Sequence, residues 1–81
     1  MTKAQDVDAI MGMVRRELVS AQAQYGAFHS AHEGFAVILE EVDELWAEVR
    51  KREKDKKALR TEAVQVAAMA VRFVLDITGL E

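Results

Sequence analysis

Glu62-Ala63-Val64-Gln65-Val66-Ala67-Ala68-Met69-Ala70-Val71-Arg72-Phe73-Val74-Leu75 decides the fold. Between Ala63 and Leu75 only Gln65 and Arg72 are polar, so a helix drawn through this stretch is apolar nearly all round. Such a helix belongs in the middle of other helices. A carboxylate at its head, Glu62, has no ordinary reason to sit there. Its polar residues Glu62, Gln65, Arg72 and Asp76 are spaced by three, seven and four, forming one stripe. Asp55 is a candidate N-cap and Gly79 a stop, giving a helix over about residues 56–78.

Upstream, Val7, Ile10, Met11, Val14, Leu18, Ala21 and Tyr25 recur at three- and four-residue steps, and Gly26 follows them. That spacing predicts a first amphipathic helix over about 5–25. Ser30-Ala31-His32-Glu33 fits a capping box, with Ser30 as cap and Glu33 reaching back. A second helix is therefore expected over about 31–53, with Phe35, Ile38, Leu39, Val42, Leu45, Trp46 and Val49 as its apolar stripe. At 100° per residue, Glu41, Glu44 and Glu48 fall within roughly 60° of one another beside that stripe. The charged run Lys51 to Arg60 reads as a helix end, a tight turn and a helix start.

The expected architecture is all-α: one domain, residues 1–81, of three helices. Two partners of this length cannot wrap the third helix, so the chain should share a bundle with further copies, as a homodimer or homotetramer. An 81-residue domain also buries a small share of its surface on its own. There is no cysteine, which removes disulfides and thiolate metal sites, and no proline. The composition, 51% hydrophobic and 31% charged, is that of a folded chain rather than a disordered one. No apolar run reaches the ~18 residues needed to cross a bilayer, and no basic, apolar leader opens the chain. The expectation is a cytoplasmic protein without a membrane partner. The net charge of −3 argues against nucleic-acid binding.

The chemistry lies in two acidic clusters. Glu40, Glu41 and Glu44 stand at i, i+1 and i+4 on the second helix, and Glu62 heads the third. If the two helices are antiparallel neighbours, Glu41, Glu44, Glu62 and Gln65 form a cage of oxygen donors. Such carboxylates repel one another unless a cation lies between them. Hard oxygen ligands suit Mg²⁺, or Mn²⁺, better than zinc or copper. A solvated helical face would be the plain reading of Glu40, Glu41 and Glu44 alone; Glu62 within an apolar helix turns it toward a metal site. His29 and His32 read as loop or substrate-contact residues, and Arg72 with Asp76 as a helix pair.

Glu40-Glu41-Val42-Asp43-Glu44 followed by Glu62-Ala63-Val64-Gln65 resembles the MazG-like all-α nucleoside triphosphate pyrophosphohydrolases, whose pattern is E-E-x-x-E and then E-x-x-D. The likeness covers roughly residues 5–78, and Gln65 departs from it at the last position. The resemblance implies hydrolysis of an NTP or dNTP to the monophosphate and pyrophosphate, at a site shared between subunits. It implies Mg²⁺ held by Glu41, Glu44, Glu62 and Gln65, with Glu40 positioning or deprotonating the attacking water. Lys51, Lys54 and Arg72 are the cations proposed for the phosphate tail. Glutamine keeps an oxygen donor at position 65 but removes a charge, so the cation should be held less tightly. The competing expectation is a helical oligomerisation or nucleotide-sensing module that keeps the scaffold without turnover.

Overall fold

A computed structural model describes residues 2–81. Helix α1 spans Lys3–Tyr25, α2 spans Ala31–Val49, and α3 spans Lys56–Phe73, continuing into a π-helical turn at Val74–Thr78. All its regular elements are helical.

Each boundary has a local cause. Thr2 and Gln5 form a reciprocal capping box: the Gln5 N–H donates to Thr2 Oγ1 at 3.2 Å and the Thr2 N–H to Gln5 Oε1 at 2.8 Å. Gly26 closes α1 at φ 72°, a conformation other residues avoid. Ser30 Oγ accepts from the Glu33 N–H at 3.0 Å and starts α2. The expected reciprocal half differs. With Ser30 extended, Glu33 Oε1 accepts instead from the His29 N–H at 3.0 Å, one residue further back. Asp55 Oδ1 caps α3 through the Lys57 and Ala58 N–H groups at 2.9 and 3.2 Å.

Helix α2 stops at Val49, short of the expected 53. Neither glycine nor proline marks this end in the sequence. Lys54 folds back and its Nζ donates to the Val49 and Lys51 carbonyls, both at 2.7 Å, which satisfies backbone acceptors left open by the helix end. The last turn of the third helical segment widens to π geometry, closed by the Gly79 N–H donating to Val74 O at 2.6 Å.

Helix α3 is the central element: it packs against both α1 and α2, which scarcely touch each other. Val14, Ala21, Phe28, Ala68 and Met69 form the buried core, flanked by Leu18, Val37, Ile38, Val64, Phe73 and Ile77. Gly34 lets α2 approach closely; a Cβ there would lie 2.6 Å from Phe73 Cδ2. The Gly26–Ser30 loop is clasped onto α3. Arg72 Nη2 donates to Gly26 O at 2.7 Å, and the Phe28 N–H donates to Asp76 Oδ2 at 2.9 Å.

The anticipated α2 stripe splits in two. Ile38, with Val37, packs on the core, whereas Phe35, Leu39, Val42, Trp46 and Val49 point outward and are 38–63% exposed. Those five are spaced 4, 3, 4 and 3, the seam of a heptad. Among the described residues no large side chain is completely buried. The radius of gyration, 13.7 Å, exceeds the roughly 12 Å of a compact chain this long.

Candidate metal centre and its adjoining cavities

The α2 face turned toward α3 carries acids as well as apolar groups. One carboxylate oxygen each from Glu41, Glu44 and Glu62 lies within 4.8 Å of the others. Glu41 and Glu44 stand one turn apart on α2, and Glu62 meets them from the first turns of α3. Among the described residues no other such group of potential ligands occurs. Octahedral Mg²⁺ at ~2.1 Å separates opposite ligands by roughly 4.2 Å, so small glutamate rotations bring these oxygens into its shell. The donor set fits a hard divalent cation.

Crowding leaves an electrostatic mark. Partial burial, reinforced by Glu44, Glu62 and Glu17, pushes the Glu41 carboxyl up to about 7 from 4.5. Glu62 is raised by burial and then by Glu44, Glu48 and Glu17. These carboxyls hold their protons more tightly than free ones, because each is partly buried and near others of the same sign.

Gln65 lies at the centre. With its amide nitrogen turned inward it donates to Glu62 Oε2 at 3.0 Å and Glu41 Oε2 at 2.9 Å. Rotated by half a turn, its carbonyl oxygen takes that same position. Cis ligands around Mg²⁺ are separated by about 3 Å, so the oxygen then stands where a fourth ligand would. A glutamine therefore serves both situations, bridging the carboxylates in one orientation and joining them as a donor in the other. Aspartate offers only the second without taking up a proton.

A cavity of about 600 Å³ opens beside the carboxylates. Glu17, Glu41 and Gln65 form one end, and Tyr25, Phe28, His29 and Arg72 line the other. Those ends are eight helical residues apart on α1, roughly 12 Å. Glu40 is exposed and stands on the wall of this cavity. His29 Nδ1 lies 3.3 Å from Glu33 Oε2 at the same rim; the hydrogen bond from the His29 backbone N–H, and then this pairing, lower the Glu33 carboxyl.

The three cations anticipated for a phosphate tail lie elsewhere than at the carboxylates. Lys51 Nζ pairs with Glu48 Oε2 at 2.7 Å, and Lys54 is engaged in closing α2. Neither lines the cavity beside the carboxylates. Arg72 is 4% exposed, with its guanidinium carbon 4.0 Å from the Phe28 ring centroid. Its Nε, 3.7 Å from Asp76 Oδ2, makes no hydrogen bond. The structure thus uses Arg72 mainly to hold the Gly26–Ser30 loop.

A second cavity of about 270 Å³ lies between α1 and α3, lined by Met13, Arg16, Glu17, Arg60, Thr61 and Val64. Glu17, Arg16 and Arg60 escaped the sequence reading because each is an ordinary charge on an amphipathic helix. Only the packing of α1 onto α3 assembles them. Family models, curated proteins and solved structures were all compared with the chain, and none matches it.

Proposed function

We propose that the chain is a Mg²⁺-dependent nucleoside triphosphate pyrophosphohydrolase of the MazG-like kind, Mn²⁺ being an alternative ion. The observation that carries this reading is the convergence of Glu41, Glu44, Glu62 and Gln65 beside a 600 Å³ cavity. Ligand pockets of 300–1,000 Å³ take small molecules of nucleoside size. No helix of the described residues is long and apolar enough to cross a membrane, in keeping with the cytoplasmic setting included in this reading.

Glu41, Glu44 and Glu62 would hold the cation, with Gln65 turned oxygen-inward. When bound, the ion supplies positive charge to the phosphate oxygens and favours attack on phosphorus. Glu40, on the cavity wall, accepts the proton of the attacking water. The new bond forms between that water oxygen and the α-phosphorus, the α–β bridging bond breaks, and pyrophosphate leaves. The nucleoside occupies the cavity between the carboxylates and the Tyr25–Phe28 end.

The reading includes a homo-oligomer. The exposed seam of Phe35, Leu39, Val42, Trp46 and Val49, with Val7, Ile10 and Met11 exposed on α1, is more apolar surface than a lone chain keeps in water. A second copy covers it. One observation favours the non-catalytic alternative: Gln65, nitrogen-inward, ties Glu41 to Glu62 with no cation needed.

Incubation with a panel of ordinary and modified (d)NTPs and Mg²⁺ separates these readings. Pyrophosphate release that disappears in Glu41→Gln and Glu44→Gln supports the hydrolase. Its absence across the panel, or its survival in both variants, sinks it.

A further inference from the structure

We infer that the smaller cavity, lined by Arg16, Arg60 and Thr61, is a diphosphate subsite that takes the terminal phosphates of the substrate and the pyrophosphate product. This assignment rests on the proposed function for its chemistry, and on its own geometry for its location.

The order of features along the helices is the first support. On α3 the smaller cavity takes Arg60, Thr61 and Val64 and the larger takes Gln65, Met69 and Arg72, so that the two meet at Val64 and Gln65. On α1 the smaller takes Met13, Arg16 and Glu17, and the larger continues from Glu17 through Ala21 to Tyr25. Glu17 lines both and is near enough to Glu41 and Glu62 to raise both carboxyls. The two spaces therefore meet at Glu17 and at Val64–Gln65, with Glu41 of the carboxylate cluster on the wall of the larger one. A nucleotide with its α-phosphate at the cluster and its nucleoside in the larger cavity has its remaining phosphates directed into the smaller one.

Charge is the second support. Glu41, Glu44 and Glu62 converge at the cluster and Glu17 lines both cavities, and a polyphosphate brings more negative charge to the place. Of the cations named from sequence, Lys51, Lys54 and Arg72 have protein partners. Arg16 and Arg60 have no ion pair among the described residues, although Glu17 and Glu62 are close in sequence. They approach the cavity from different helices, and a guanidinium presents paired donors matched to phosphate oxygens. Thr61 adds a hydroxyl donor to the lining.

Calorimetric titration with pyrophosphate and, separately, a nucleoside monophosphate, each with Mg²⁺, tests the assignment. Both arginines are exposed, so Arg16→Ala and Arg60→Ala should leave the fold intact. Each should weaken pyrophosphate binding roughly tenfold while leaving monophosphate binding unchanged. Arg15→Ala, exposed on α1 and lining neither cavity, serves as the control. Retention of partial affinity in Arg16→Lys with Arg60→Lys would separate lost guanidinium geometry from lost charge. Equal pyrophosphate affinity in wild type and the double alanine variant overturns the subsite, as does no binding by wild type. A protein that binds pyrophosphate through these arginines yet releases none from any triphosphate supports the subsite and refutes the hydrolase.

Discussion

Gln65→Glu perturbs the centre of the site without changing its volume. In the metal-free protein the glutamine amide donates to Glu62 and Glu41 at 3.0 and 2.9 Å. A hydrogen bond to a charged group contributes about 1.5–3 kcal/mol, the lower end applying where water has access. A fourth carboxylate at ~3 Å from two others adds a repulsion of up to about 5 kcal/mol per pair at an effective dielectric of 20. The new side chain avoids most of that by taking up a proton or rotating away, so the net loss should be about 2 kcal/mol. For a domain of this size that lowers Tm by roughly 8–16 °C. With saturating MgCl₂ the sign reverses, because the added charge now faces a cation, and the variant should melt at or above wild type. Thermal melts followed by circular dichroism, with EDTA or MgCl₂ and at fixed protein concentration, give both numbers. Gln65→Met, of similar length, should lose the metal-free bridge and gain nothing from Mg²⁺. If Gln65→Glu melts like wild type in EDTA and Mg²⁺ shifts both proteins equally, the site is not a crowded oxygen cage.

The raised Glu41 and Glu62 carboxyls fix the direction of a pH effect. Both bind protons more tightly folded than unfolded, so the stability they contribute is complete below about pH 4.5 and is lost as pH rises, for Glu41 through about 7. After discounting for partial exposure, metal-free protein should be about 1 kcal/mol less stable near pH 8 than near pH 5 by urea melts. Mg²⁺ should remove that loss, since ligation needs the deprotonated forms; a metal-free stability that rises over this range contradicts the clustering. Gly34→Ala sets a helix-propensity gain of about 1 kcal/mol against an overpacking cost of about 1–3 kcal/mol from the Cβ at 2.6 Å from Phe73. Net destabilisation with altered aromatic signals in the near-ultraviolet is expected, and a variant more stable by the full propensity gain would show that Phe73 yields freely. Leu39→Lys with Trp46→Lys should reduce the sedimenting species to a monomer, at about 2 kcal/mol per lost anchor. A wild-type chain that already sediments as a monomer at micromolar concentration refutes the shared bundle.

The number and order of helices were legible in the sequence because their causes are local. Val7 to Tyr25 repeats at helical spacing, Gly26 supplies a positive φ, and Ser30 and Asp55 cap the helices that follow them. The pairing of Glu41 and Glu44 with Glu62 and Gln65 was legible for a related reason: helical spacing puts each pair on one face, and an apolar third helix must lie against the second. The stop at Val49 was not, because it depends on Lys54 folding back rather than on any breaker residue. Nor was the division of α2 into a packed side and an exposed heptad seam, since apolar periodicity shows that a face is hydrophobic without showing what covers it. Arg72 reads in sequence as the helix partner of Asp76 and a candidate cation for the phosphate tail; packing lays it against Phe28 and commits it to the Gly26 carbonyl. Arg16, Glu17 and Arg60 gain their meaning only from the contact of α1 with α3, which joins residues more than forty positions apart. Periodicity fixes which side of a helix a residue occupies, whereas cavities and charge clusters arise from the approach of one helix to another, and that approach is decided by the whole core at once.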